Sequence, residues 1–245
     1  TAGINSLKTS QIGAITTADL VTMTTAQIVA LTSAGARALG TAGIAALSTV
    51  TGSVAAFEGQ DLAALTTDQI QAFSADTKGL GALTASQVQS LTTGQVASIS
   101  TSQVSALTTT EISSLSTSQL RALTTANVSK LSSSQYLALT SSQVAGLTTG
   151  QVQALGTLGI QALSGQLSTS SPNLIGNLTS ASVAALATSQ VSSLGTSGVS
   201  ALVSASTITA LTTDNIKQLS TAQTVALGTA GINSLKTSQI GAITT

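Results

Sequence analysis

Thr101–Thr108 reads TSQVSALT and Thr149–Gly156 reads TGQVQALG. Both follow T-x-Q-[V/I]-x-A-L-[T/S], an octapeptide that recurs along the whole chain. Taking the last apolar residue of each unit as a marker, it falls at 7, 15, 23, 31, 39 and 47, and again in unbroken steps of eight from Leu83 to Leu163. Four steps are longer: Leu47 to Phe57, Phe73 to Leu83, Leu163 to Leu178 and Leu202 to Leu211. A fixed short period means that each unit lacks a core of its own and must stack on others, which is the signature of a solenoid.

The octad predicts one very short helix per unit. A continuous helix fails, because eight residues turn through about 800° and the apolar stripe would drift by about 80° per unit. An uninterrupted strand fails as well, since the apolar fourth, sixth and seventh places do not alternate. The Ser or Thr that closes one unit instead reads as the N-cap of the next, and the Gln three residues on completes a capping box, as in Thr92-x-x-Gln95 or Thr108-x-x-Glu111. The Leu before the cap and the Val or Ile after the Gln form a hydrophobic staple. Lys8, Val50, Glu58, Ala187 and Lys236 depart from this cap pattern.

Two further details fit. Pro172, the single proline, follows Ser171 and so falls at the first helical position, where a missing N–H costs nothing. Gly40, Gly156, Gly195 and Gly228 stand at cap positions, and each has another Gly three residues later, as if loss of the cap hydroxyl removed the need for its partner. Thr32, which caps a unit with Gly35 in that place, breaks the converse. The expected fold is an all-α repeat solenoid of very short capped helices, one per octapeptide. Thr, Val and Ile favour strands, and a helix of six or seven residues is not stable alone. A β-solenoid with two or three octads per coil is therefore the alternative, with stacked Thr and Gln ladders.

A second repeat encloses the first. Thr1–Thr17 (TAGINSLKTSQIGAITT) recurs letter for letter as Thr229–Thr245. The expected organisation is one continuous array over 1–245, with a 228-residue period (1–228) and the start of the next (229–245). The segment Gly165–Ser171 (GQLSTSS) reads as a surface loop.

Composition excludes several function classes. Of the 245 residues 42% are hydrophobic but only 1% aromatic, and seven Lys+Arg balance seven Asp+Glu. Such a chain has no field to attract nucleic acid, and little charge repulsion to hold copies apart. Mean hydropathy of +0.45 argues against disorder. With no Cys and no His, disulfides, thiolate sites and imidazole bases are ruled out, as is a Ser-His triad. No apolar run is long enough to span a bilayer.

The acids, Asp19, Glu58, Asp61, Asp68, Asp76, Glu111 and Asp214, read as isolated solvated or capping carboxylates; Asp19 and Glu111 occupy the Gln place. No catalytic, cofactor-binding or metal residue is expected, no cofactor, and no enzymatic activity. Asn127-Val128-Ser129 and Asn177-Leu178-Thr179 match the glycosylation sequon, as chance allows in so Ser- and Thr-rich a chain. Tyr136, Phe57 and Phe73 read as larger plugs in the same core.

Runs such as Leu115–Leu123 (LSTSQLRAL) and Leu147–Leu155 (LTTGQVQAL) resemble octapeptide tracts of very large, repetitive secreted bacterial surface and matrix proteins. The resemblance implies an exported, extracellular or cell-surface fibre of the biofilm-matrix or adhesin kind, and carries no functional residues. The expected function is a non-enzymatic structural protein that forms an extracellular filament, sheath or adhesin stalk by stacking of repeats, with itself as principal partner. Two alternatives remain: an ice- or surface-binding solenoid, because 21 of the 29 unit-opening residues are Thr, and a helical-repeat binding module holding a peptide or glycan.

Overall fold

The computed structural model describes residues 2–167 and 172–243. It comprises two compact units, Thr1–Leu123 and Thr124–Thr245. Among the described residues it holds 25 α-helices, most of four to six residues, four 3-10 helices and no strand. The all-α repeat solenoid expected from the octad is the observed architecture, and the β-solenoid is not.

In the regular octads two extended residues in succession separate one helix from the next. After the helix Thr93–Ser98, Ile99 has ψ 131°; Ser100 then has ψ 163° and caps the helix Thr101–Ala106. The cap is a true box. Gln95 donates its backbone N–H to Thr92 Oγ1 at 3.2 Å, and Gln95 Oε1 accepts from the Thr92 N–H at 2.8 Å. Ser100 with Gln103 and Thr108 with Glu111 repeat it. At Lys8, Ala187 and Lys236 the backbone is equally extended, but no hydroxyl accepts; only the Gln half remains, with Oε1 of Gln11, Gln190 and Gln239 taking the cap N–H at 2.8–2.9 Å.

The stacking partner is not the adjacent octad. Thr93–Ser98 packs on Thr117–Ala122, and Ala85–Ser90 on Thr109–Ser114; in the second unit, Thr125–Ser129 packs on Thr149–Ala154 and Ser133–Leu137 on Gly156–Leu163. Helices that touch are three octads apart, so one coil takes three. Three is one of the two coil counts, two or three octads, considered for the β alternative, here carried on a helical backbone. The paired extended residues redirect the chain after each helix, so consecutive helices form successive sides of a coil and each finds its cover in the next coil. The staple pair fills the interior: Val96 and Val104 are fully buried, and Ile99 and Leu107 nearly so.

The four longer steps are absorbed in one way. Each ends in a 3-10 helix in place of a capped α-helix: Val54–Ala56, Leu80–Ala82, Ile175–Asn177 and Ile208–Ala210. Val54, Leu80, Ile175 and Ile208 are fully buried there, so the core position is kept across each longer step. Val50 accordingly starts no helix. Pro172 is not at a first helical position either; it lies in irregular chain ahead of Ile175–Asn177, whose N-cap is Leu174. Its expected cap, Ser171, and the rest of the 168–171 part of the loop lie outside the described residues.

The glycine pairs have a steric cause. Gly40, Gly156, Gly195 and Gly228 take φ of +58° to +65°, the left-handed region, where the chain turns directly from one helix into the next. The Leu before each is helical, not extended. That brings the Leu back over the third residue of the new helix: a Cβ on Gly43, Gly159, Gly198 or Gly231 would stand 2.7–3.1 Å from Cβ of Leu39, Leu155, Leu194 or Leu227. The second glycine makes room for a side chain; it does not answer a missing hydroxyl. Thr32 is an ordinary cap that accepts from the Gly35 N–H at 3.1 Å, and Gly35 is small because Ile12 Cδ1 presses against it.

Candidate functional site

The repeated polar feature of this chain is the glutamine of the octad. Its Oε1 serves the cap within its own helix, and its Nε2 points the other way, into the coil before. Gln95 Nε2 donates to the carbonyls of Leu62 at 2.7 Å and Leu65 at 2.8 Å; Gln103 donates to Ile70 at 2.9 Å and Phe73 at 2.8 Å; Gln119 donates to Val88 at 2.9 Å and Leu91 at 2.7 Å. In the second unit Gln190 reaches Val152, Gln223 reaches Val191, and Gln239 reaches Thr209 and Leu211. The acceptors are a carbonyl of the last helical turn, which also takes the N–H three residues on, and the carbonyl of the Leu or Phe that follows the helix, where the intrahelical ladder has run out. One side chain therefore finishes the start of its own helix and the end of another. These amides are buried: Gln95 and Gln103 are each 2% exposed.

Carboxylates in this place behave differently. Glu111, 3% exposed, takes the Thr108 N–H on Oε2 at 2.5 Å, and burial pushes its pKa up. Asp61 is fully buried. Its Oδ1 accepts from Ser33 Oγ at 2.8 Å, its Oδ2 has no partner, and burial raises its pKa, with Glu58 adding a smaller repulsion. The expectation of a capping acid holds at Glu111, which is buried as well, and the expectation of a solvated or capping acid is corrected at Asp61. Asp19 is exposed and does cap, through Thr16. Asp76 lies at the surface, where Ser74 Oγ and the N–H groups of Lys78 and Gly79 lower its pKa. Asp214 pairs with Lys217 at 3.1 Å across exposed surface.

The structure brings none of these acids into a cluster: among the described residues no group of three or more metal-ligating side chains comes together. An open groove of about 450 Å³ is lined by Thr209, Leu211, Thr212, Lys236, Ser238 and Gln239, among others, and holds no paired acid and base. Tyr136, Phe57 and Phe73 are buried plugs, and the Tyr136 hydroxyl donates to the Val128 carbonyl at 2.6 Å, its pKa pushed up to about 12 by burial. Asn127 is only 2% exposed, which closes that sequon to glycosylation in the folded chain; Asn177 is half-buried, with Nδ2 bonded to Leu174. No described helix is long and apolar enough to cross a membrane.

Sequence reasoning found the Gln as a capping residue and missed its second bond. The available signal was its amide: Glu completes a capping box as well, but Gln carries an N–H beside the capping oxygen, and Asn215 in the same place also reaches back, with Nδ2 on the Leu186 carbonyl at 3.0 Å.

No curated protein and no solved structure matches the chain. The profile of the ALTTAQ repeat matches residues 12–49, 54–93, 112–149 and 208–245, more than half of the sequence. Each match spans nearly five octads, and the matched stretches include the capped helix Thr117–Ala122 and the coil-to-coil glutamines Gln119, Gln223 and Gln239. The chain belongs to the ALTTAQ repeat family.

Proposed function

We propose that this tandem-repeat protein is a non-enzymatic structural element, a secreted filament, sheath or adhesin stalk of a bacterial surface or matrix, assembled by coil-on-coil stacking. One observation carries the reading: the amide-to-carbonyl bond between coils is made by the same octad position again and again, so within each unit successive coils are joined by the same polar contact around an aliphatic core. A load along such a stack is shared by many equivalent contacts, as a structural polymer requires. The surface supports the same reading. It is mostly Ser, Thr and Ala with few charges, and offers no concentrated site for a substrate. The absence of Cys and the purely local capping bonds suit a chain that folds after export.

The test is direct visualisation of the purified chain as its concentration rises. Filaments of constant width, with helical circular dichroism and no strand-spacing reflection near 4.7 Å, are the expected result. Particles of one fixed size at every concentration reject the assembly.

A second reading has its own observation. Thr93 and Thr117 open helices that pack on one another, as do Thr125 and Thr149, so unit-opening hydroxyls line up on one side of successive coils. A surface- or ice-binding role would use that array. Inhibition of ice recrystallisation by the monomer supports it, and inactivity removes it.

A further inference from the structure

Asp61 stands in the octad place that Gln holds elsewhere, and the cap place before it is filled by Glu58, so two carboxylates replace a hydroxyl and an amide. Glu58 is exposed, with Oε2 accepting from Gln60 Nε2 at 2.8 Å. Asp61 is fully buried and reaches into the coil before: Oδ1 accepts from Ser33 Oγ at 2.8 Å, and Oδ2 is enclosed with no partner. Asn215 shows what a side chain of this length does in this place. Its Nδ2 donates to the Leu186 carbonyl at 3.0 Å, and Leu186 is the fourth apolar marker back, after Leu211, Leu202 and Leu194. The same count from Gln95 ends at Leu65 and from Gln103 at Phe73, whose carbonyls those amides reach. From Asp61 it runs through Phe57, Leu47 and Leu39 to Leu31, two residues before Ser33. Among the described residues no donor meets the Leu31 carbonyl. A carbonyl without a donor and a carboxyl oxygen without a partner thus hold the two ends of a bond that neighbouring octads make. A proton on Oδ2 turns the carboxyl into the donor.

We propose that Asp61 is a proton-operated fastener: protonated on Oδ2, it donates to the Leu31 carbonyl and locks the helix Gly59–Ala64 to the helix Ser33–Ala38, and ionised, it sets two acceptors against each other and the joint opens. The surroundings favour the proton. Burial raises the Asp61 pKa, the Ser33 hydroxyl works against that, and repulsion from Glu58 adds to it. Of the two helices packed against Gly59–Ala64, Ser33–Ala38 carries one charged residue, the exposed Arg37, and Ala85–Ser90 carries none, so neither brings a buried cation to the carboxyl. The bond is complete while Asp61 is neutral and is lost as pH rises through its raised value. The first unit thereby holds a coil joint that slackens as acidity falls.

The test is hydrogen exchange of the full chain across pH, corrected for the intrinsic rate at each pH. Protection of the amides in Ser33–Ala38 and Gly59–Ala64 is expected to fall by up to about tenfold per pH unit above the transition. The helix Thr149–Ala154, whose Val152 carbonyl takes the Gln190 amide, shows no such fall. Asp61→Asn supplies a permanent donor in the manner of Asn215 and removes the pH dependence at the two helices. The neighbours shift the transition in opposite directions. Ser33→Ala takes away a bond to the ionised form and moves it to higher pH; Glu58→Gln takes away the repulsion and moves it to lower pH. An Asp61→Asn chain that keeps the wild-type pH dependence overturns the fastener, as do shifts of the same sign in Ser33→Ala and Glu58→Gln. Protection restored at neutral pH by calcium chloride overturns it as well, since a cation would then fill the place assigned to the proton.

Discussion

The side-chain amide of Gln103 donates to the carbonyl of Phe73, thirty residues earlier, at 2.8 Å. The same glutamine accepts the Ser100 N–H at 2.9 Å. One side chain is thus a cap within its helix and a fastener to the coil before, and this double use explains why the octad carries Gln where a capping box would also accept Glu.

The fastener can be measured. Gln95→Ala removes a cap acceptor and a buried donor at once, strips the Leu65 carbonyl of its glutamine partner and leaves the Leu62 carbonyl with the Leu65 N–H alone. A loss of about 2–4 kcal/mol in denaturant unfolding is expected. Gln11→Ala, at the same octad place but exposed and joined only to the Lys8 N–H, costs about 1 kcal/mol or less. Equal losses at the two positions would remove the inter-coil contribution.

Glu111 and Asp61 make stability depend on pH. Both have folded-state pKa values raised by burial. The native chain therefore holds protons that the unfolded chain releases, so this contribution is complete below the ordinary carboxylate range and is lost as pH rises through the raised values. Asp76, lowered by its hydrogen bonds, acts in the opposite sense at the acid end, and its exposure keeps that effect small. Glu111→Gln restores the amide used at the other octads. It is expected to stabilise the chain by about 1 kcal/mol at neutral pH and to flatten the profile above the ordinary carboxylate range, read by thermal unfolding across pH. An unchanged slope in both Glu111→Gln and Asp61→Asn would contradict the assignment.

Hydroxyl caps differ from bare ones in a testable way. Thr92→Ala, Thr108→Ala and Thr124→Ala each remove a hydroxyl that accepts the N–H of the third helical residue, at a cost of about 1 kcal/mol apiece. Ala187→Ser adds the missing acceptor to a backbone that already has the cap geometry, φ −70° and ψ 155°, and should raise the melting temperature. A neutral outcome at all four positions would separate the geometry from the energy.

Glycines sort by what surrounds them. In Gly159→Ala the new Cβ meets Leu155 Cβ at 2.7 Å and Tyr136 Cε1 at 3.3 Å, and Gly40→Ala puts a side chain at φ +65°; losses of about 1–3 kcal/mol are expected. Gly94→Ala lies inside a helix with nothing nearer than 3.9 Å, and should stabilise by about 0.5–1 kcal/mol. Chemical unfolding of the three variants checks the order; a stabilising Gly159→Ala would refute the packing.

Much of the fold can be read along one octad. Thr92, Gln95 and Val96 show where a helix starts, because a capping box and a staple join residues three to five apart, and that geometry is local. Val96 and Ile99 as core residues follow from the same spacing, since they are the only large aliphatic side chains of the unit. Lys8 and Ala187 could be recognised as defective caps because a missing hydroxyl is visible in the letters. Gly43 and Gly159 could not be explained there. Their partners are the Leu39 and Leu155 Cβ atoms, brought near by a left-handed turn that leaves no mark beyond the glycine itself. Asp61 likewise looks like any surface acid until Ser33, from the preceding coil, is seen against it.

The chain of letters was enough to establish a short capped helix per octad, two aliphatic core positions in each, and the need for stacking, because these follow from contacts within one unit. It did not contain the number of octads in a coil. That number depends on the angle turned at each pair of extended residues, such as Ile99 and Ser100, summed over three units until helices 24 residues apart meet, as Thr93–Ser98 meets Thr117–Ala122. The carbonyl that receives each glutamine follows from that sum, and with it the physical link between one coil and the next.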